Sequence, residues 1–199
     1  MSVGLEVCFY RIDRRCRMEE TALVTGASGG IGAGIATVLA KQVRLMICVS
    51  QSLRSLQGVT VILVARRLEL LEQVANRINE TGGKALVKAV DVTDKEQVKV
   101  MGRWMREEVG LPTILVNNAG TGDVAEFASQ TPDDWEPMID LNIKAGLFCI
   151  SEFLADMKEA KKGHIVNISS INEKAGRPGM AVYGGTKLFW EGEISNFGL

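Results

Sequence analysis

Thr21-Ala22-Leu23-Val24-Thr25 runs directly into Gly26-Ala27-Ser28-Gly29-Gly30-Ile31-Gly32, and this junction limits the possible folds more than any other stretch of the chain. The first five residues are a short apolar run ended by glycine, the pattern of a buried parallel strand. A helical stretch, Ile31 to Gln42, follows the glycines. Strand, glycine turn and helix together make a phosphate site. Gly26 lets the chain turn sharply and Gly30 lets backbone approach a pyrophosphate. The helix N-terminus offers N–H groups that have no partner inside the helix. The spacing is G-x-x-x-G-x-G rather than the more widespread G-x-G-x-x-G.

Far downstream, Tyr183-Gly184-Gly185-Thr186-Lys187 sets a phenol and an ammonium four residues apart, on one face of a helix and one turn from each other. A free phenol holds its proton too tightly to exchange it readily at neutral pH. A cation beside it favours the phenolate, as a general acid or base at neutral pH requires. A lone pair of this kind also arises by chance in many helices, so its meaning depends on the rest of the chain.

Thr25-Gly26-x-x-x-Gly30-Ile31-Gly32 resembles the cofactor motif of the short-chain dehydrogenase/reductase family. Tyr183-x-x-x-Lys187 matches that family's catalytic pair, in the right order, and Asn117-Asn118-Ala119-Gly120 resembles a third motif. The likeness runs from about Thr21 to the end of the chain. It implies an α/β fold, a doubly wound parallel sheet of Rossmann type, with Gly26, Ser28, Gly30, Ile31 and Gly32 at the cofactor. It places Asp91 and Val92 at the adenine and Asn118, Ala119 and Gly120 beneath the cofactor. It assigns Tyr183 and Lys187 to the nicotinamide end.

The residue that reads the adenosine ribose belongs about 20 residues beyond the glycine turn. Two segments compete for the second strand. Leu45–Val49 has nearly that spacing but ends in uncharged Ser50-Gln51-Ser52. Val59–Ala65 is longer, β-branched and followed by Arg66-Arg67, and the stretch beyond it puts Leu68, Leu71, Ala75 and Ile78 on one helix face. We assign Val59–Ala65, which makes residues 43–57 an insertion within a domain spanning 21–199. Arg66 then stands where an acidic residue would hold the 2′-hydroxyl of NAD. A guanidinium attracts a 2′-phosphate and binds it in a bidentate way, whereas a carboxylate repels it. NADP(H) is therefore expected over NAD(H), the alternative being a solvated arginine at a helix start.

Ala85–Val90 reads as the third strand, leading to Asp91-Val92, and Thr93-Asp94-Lys95-Glu96 reads as a capping box for a helix running to about Val109. Ile114–Val116 is the fourth strand. Thr131-Pro132-Asp133-Asp134 opens a long helical region, with Pro132 at the first position and Asp134 completing a cap. Asn142 interrupts that region as a poor helix-interior residue. The resemblance implies that it bends the helix and holds a water in a proton relay to Lys187. Ile165–Ser170 is the fifth strand with its exit. Ser170, 13 residues before Tyr183, takes the role of the family's serine, and the loop from Ile171 to Val182 is expected to wall the substrate pocket. His164, the sole histidine, reads as a surface residue.

Composition bounds the partners. Apolar residues at 46% and charged residues at 24% suit a globular chain with a real core. The net charge of −1 gives no field that points to nucleic acid. No apolar run is long enough to span a bilayer. Four scattered cysteines and one histidine make a Cys/His metal site an unpromising reading and fit reduced thiols in the cytoplasm. Residues 1–20 read as a disordered extension. Their arginines leave a mitochondrial presequence open, although Glu6 and Asp13 count against it.

The resemblance implies interconversion of a small-molecule carbonyl and an alcohol by hydride transfer. Tyr183 gives or takes the proton on oxygen, Ser170 polarises that oxygen, and Lys187 holds the nicotinamide ribose. It also implies further strands and a lid beyond Leu199, so the chain is expected to be truncated, with its sheet incomplete at the C-terminal edge. The full-length form is expected to be a homo-oligomer. The rival reading is an inactive isoform that binds nucleotide or a partner without turnover.

Overall fold

In the computed structural model, β1 (Thr21–Thr25) lies at the centre of a sheet because its residues are buried on both faces. The structure describes residues 20–41, 59–171 and 177–193. The expected extension, short of Glu20, the 43–57 insertion and the competing strand at Leu45–Val49 lie outside the described residues. Along the chain, α1 (Gly30–Lys41), β2 (Thr60–Ala65), α2 (Leu68–Glu80), β3 (Lys84–Ala89) and α3 (Lys95–Trp104) follow β1. Then come β4 (Ile114–Asn117), α4 (Pro132–Ile139), α5 (Ala145–Glu159), β5 (His164–Asn167) and α6 (Ala181–Glu193). A π turn, Met105–Val109, extends α3, and another, Asp140–Lys144, joins α4 to α5.

All strand pairings are parallel, in the order β3-β2-β1-β4-β5. The doubly wound Rossmann-type architecture is therefore present. The order reverses between β1 and β4, where sheets of this kind bind ligands at the carboxyl ends of their strands. Successive side chains of a strand point to opposite faces. Ala22, Val24, Val61 and Leu63 face a core that includes Ala36, Leu71 and Ile78 from α1 and α2. Leu23, Ile62, Val64 and Leu115 face a second core with Met101, Phe153 and Trp190 from α3, α5 and α6. Each fully buried large side chain contributes about 1.5–3 kcal/mol of transfer free energy.

Local chemistry corrects several sequence expectations. The cap of α3 is not Thr93. Asp94 accepts from the N–H groups of Glu96 (2.9 Å) and Gln97 (3.3 Å), while Thr93 donates to Asp91 instead. The Gln97 side chain, ahead of those N–H groups, holds the Asp94 carboxyl below its ordinary range. Leu68 is 41% exposed, because it is the first residue of α2 and the buried face begins at Leu71. His164 is half-buried as the first residue of β5 rather than the residue before it, and the strand ends at Asn167 with the serines in its exit. The Thr131 and Asp134 capping box at α4 forms as the sequence suggests.

Candidate active site

The glycine turn is built around Thr25 and Asn118. Thr25 Oγ1 accepts from the N–H groups of Asn118 (3.0 Å) and Ala119 (3.1 Å), and the Asn118 side chain donates to the Thr25 main-chain oxygen at 2.8 Å. The end of β4 is thereby sewn to the turn after β1. Gly26 and Gly30 have φ of +68° and +53°, a region that suits glycine. A Cβ on Gly32 would lie 2.5 Å from both the Gly26 oxygen and the Asn118 amide nitrogen, so the helix can approach the turn this closely only with glycine there. Ser28 is half-buried in this turn and Ile31 is half exposed.

The turn meets β2 through the Ala27 N–H, which donates to Val64 O at 3.2 Å. Arg66 is exposed, two residues beyond Val64 in the chain. Asp91 and Val92 follow β3. Val92 is buried, and the Asp91 carboxylate accepts from the Thr93 N–H and hydroxyl. Ala119 and Gly120 continue the chain past Asn118, and a Cβ on Gly120 would sit 3.2 Å from Lys187 Nζ and 3.1 Å from Asn142 Oδ1. The turn, the end of β4, Asn142 and the ammonium thus converge.

Lys187 is buried on α6, and its ammonium donates to the main-chain oxygen of Ile168 at 3.0 Å. It lies 6.0 Å from the centre of the Tyr183 ring, one helical turn away. The ring packs against the backbone at Gly122, where a Cβ would come within 2.9 Å of it. Ser170 is half-buried three residues beyond β5, and its neighbour Ser169 donates to Lys187 O at 2.9 Å. Ala125 N–H donates to Gly179 O at 3.0 Å and joins the loop after β4 to the residues before α6. Of the expected pocket wall, residues 172–176 lie outside the described residues.

Asn142 is buried in the π turn, where the regular helix ladder is relaxed. Its Oδ1 accepts from Thr121 N–H at 2.8 Å, and its Nδ2 donates to Thr121 O at 2.8 Å and to Thr186 Oγ1 at 2.9 Å. The sequence reading misses Thr25, Thr121, Thr186 and Trp190, which hold the others in place. Thr25 opens the glycine motif and Thr186 sits inside the Tyr-Lys motif, so a role for both was within reach. Thr121 and Trp190 act across gaps of 21 and 48 residues and leave no local signal.

Comparison with known proteins agrees with this geometry. The family model for short chain dehydrogenases matches residues 20–197. The glycine betaine reductase ATRR of Emericella nidulans is 35% identical over 175 residues, which cover 88% of this chain and 13% of that protein. The uncharacterized oxidoreductase Lin0452 of Listeria innocua is 34% identical, covering 83% of this chain and 60% of its own. The chain therefore spans less than two thirds of these curated relatives. The solved structure of a metagenomic short-chain oxidoreductase in complex with NADP superposes with a TM-score of 0.78 at 32% identity, covering 88% of this chain and 73% of that one.

Proposed function

The chain belongs to the short chain dehydrogenase family, and we propose that it is an NADP(H)-dependent oxidoreductase interconverting a small-molecule carbonyl and an alcohol in the cytoplasm. The observation that carries this reading is the placement of Lys187 and Tyr183. An ammonium fixed on Ile168 O stands one helical turn from a phenol, at the carboxyl end of the sheet and near the glycine turn. Among the described residues no helix is long and apolar enough to cross a membrane.

The residues fit the cofactor. Gly30, at +53°, is the first residue of α1 and opens onto free space where a side chain would stand. Gly26, Ser28, Ile31 and Gly32 complete the phosphate cradle, with Asn118, Ala119 and Gly120 beneath it. Arg66 would take the 2′-phosphate, and Asp91 with Val92 would flank the adenine. When bound, NADP(H) supplies or accepts the hydride. Tyr183 gives the proton to the substrate oxygen in reduction and takes it in oxidation. Ser170 donates a hydrogen bond to that oxygen. Lys187 holds the nicotinamide ribose, one helical turn from Tyr183. Asn142 braces the π turn beside them.

The accompanying domain reading is one dinucleotide-binding unit from Thr21 onward, with residues 43–57 inserted between α1 and β2, and assembly as a homo-oligomer. The test is NADPH oxidation by the purified protein with a broad set of ketones and aldehydes. Turnover with NADPH ahead of NADH supports the reading. Saturable NADPH binding without turnover across the whole set would favour the nucleotide-binding, non-catalytic alternative.

A further inference from the structure

Val124 and Phe127 are the most exposed large apolar side chains among the described residues, at 66% and 62%. Both stand on the loop after β4. Single exposed apolar residues are ordinary on a protein surface. This pair is set apart by what its loop touches. At Gly122 the loop backbone lies against the Tyr183 ring. Two residues on, Val124 lies against Gly179, where a Cβ would come within 3.1 Å of Val124 Cγ1. The Ala125 N–H fixes that approach by donating to Gly179 O at 3.0 Å. Ile171, directly after Ser170, is a further exposed apolar side chain. Exposed hydrocarbon therefore adjoins, in the chain or in space, both residues proposed to meet the substrate oxygen.

The charges on this loop narrow the substrate further. Asp123 accepts from the Val124 N–H at 2.8 Å, which turns its carboxylate back on the loop's own backbone. Asp123 and Glu126 flank Val124 in the chain, and both are exposed. Carboxylates in these positions repel an anionic ligand. Ligand sites are mostly apolar, with a few polar groups that orient the ligand. In the proposed reaction Ser170 and Tyr183 are the orienting groups, and Val124 is apolar surface already held in place.

We infer that the substrate is an uncharged carbonyl compound with an alkyl or aryl arm, and that Val124 receives the first part of that arm. Val124 is a specificity-determining residue, selecting among carbonyl compounds by apolar contact. The carbonyl rests on the oxidoreductase reading, whereas contact of an alkyl arm with Val124 can be read without turnover.

The experiment compares the wild type with Val124→Asn and Val100→Asn, using NADPH and the straight-chain aldehydes from propanal to hexanal. Val100 is an exposed valine on α3. Neither exchange touches the core. In the wild type, kcat/KM is expected to rise about two- to fourfold per added methylene, the scale of burying one such group. Val124→Asn is expected to lower the hexanal-to-propanal ratio of kcat/KM about tenfold, chiefly through KM. Val100→Asn is expected to keep the wild-type ratio. A wild-type ratio near one, equal flattening in both variants, or an unaltered ratio in Val124→Asn would each overturn the inference. An unaltered ratio with a changed oligomeric mass in light scattering would assign the exposed loop to a contact between copies of the chain. If no aldehyde is reduced, NMR titration of the isotope-labelled protein with NADP+ decides. Hexanol should then shift the Val124 and Ala125 amide signals at lower concentration than propanol does, and Val124→Asn should abolish the difference. That result upholds the site and counts against the oxidoreductase reading alone; an equal response to both alcohols in the wild type overturns the inference.

Discussion

The indole nitrogen of Trp190 donates to the main-chain oxygen of Asn142 at 2.7 Å, fastening α6 to the π turn between α4 and α5. Thr186, one turn earlier on α6, meets the Asn142 side chain at 2.9 Å. Two adjacent turns of the helix that carries Tyr183 and Lys187 are therefore held by one asparagine.

Replacing that asparagine should be costly in two ways. Asn142→Ala removes the partner of both the Thr121 N–H and the Thr121 main-chain oxygen and leaves the Thr186 hydroxyl only its bond to Tyr183 O; each hydrogen bond lost costs about 0.5–1.5 kcal/mol. Urea unfolding should show a lower midpoint at unchanged slope. Turnover should fall by more than the loss of folded protein explains. A variant with wild-type stability and rate would contradict the brace.

Gly32→Ala tests how tightly α1 and the glycine turn are packed. The added carbon would press on Gly26 O and Asn118 Nδ2, each 2.5 Å away. Overpacking of this kind costs about 1–3 kcal/mol. Because the strained atoms border the proposed phosphate cradle, NADPH affinity measured by calorimetry should fall as well. Unchanged affinity would place the cofactor elsewhere.

Arg66→Asp should invert the nucleotide preference. A carboxylate at the end of β2 repels a 2′-phosphate and can accept from a 2′-hydroxyl. In thermal shift assays NADPH should stabilise the wild type more than NADH does, and the variant should show the reverse, since a ligand stabilises in proportion to its affinity for the folded state. Equal shifts in both proteins would remove Arg66 from the site.

Cys149 provides a pH test that is independent of catalysis. It is fully buried, and desolvation, with Glu152 adding to it, pushes the thiol from 9.0 up to about 12. In the unfolded chain the thiol ionises first, so between about pH 9 and pH 12 the unfolded state carries fewer protons and stability falls as pH rises. Below pH 9 this contribution is fully present. Cys149→Ala should flatten the alkaline decline in unfolding free energy. In the native protein at neutral pH, mass spectrometry should find Cys149 unalkylated after iodoacetamide treatment. Rapid labelling there would contradict the burial.

Much of the fold is legible in the residues because a parallel strand buried on both faces must be apolar throughout. Thr21–Thr25 and Thr60–Ala65 stand out for that reason. Asn142 is legible through conflict, as a polar residue of poor helix propensity inside a helical stretch. Its surroundings are not, since the bonds from Thr121, Thr186 and Trp190 depend on how distant segments pack. The cap at α3 is misread for a different reason. Thr93 and Asp94 both suit an N-cap, and Asp91, by engaging Thr93, leaves the position to Asp94. Leu68 shows that periodicity marks a helix face without saying where that face first meets the sheet.

The most direct test follows the loss of reduced nicotinamide when the protein is mixed with NADPH and its best carbonyl substrate, comparing the wild type with Tyr183→Phe. The phenyl ring keeps the packing on Gly122 and removes only the hydroxyl. Turnover should fall by about 100-fold or more, the scale of general acid catalysis, while NADPH binding persists. A Tyr183→Phe protein that reduces the substrate at the wild-type rate would contradict the account.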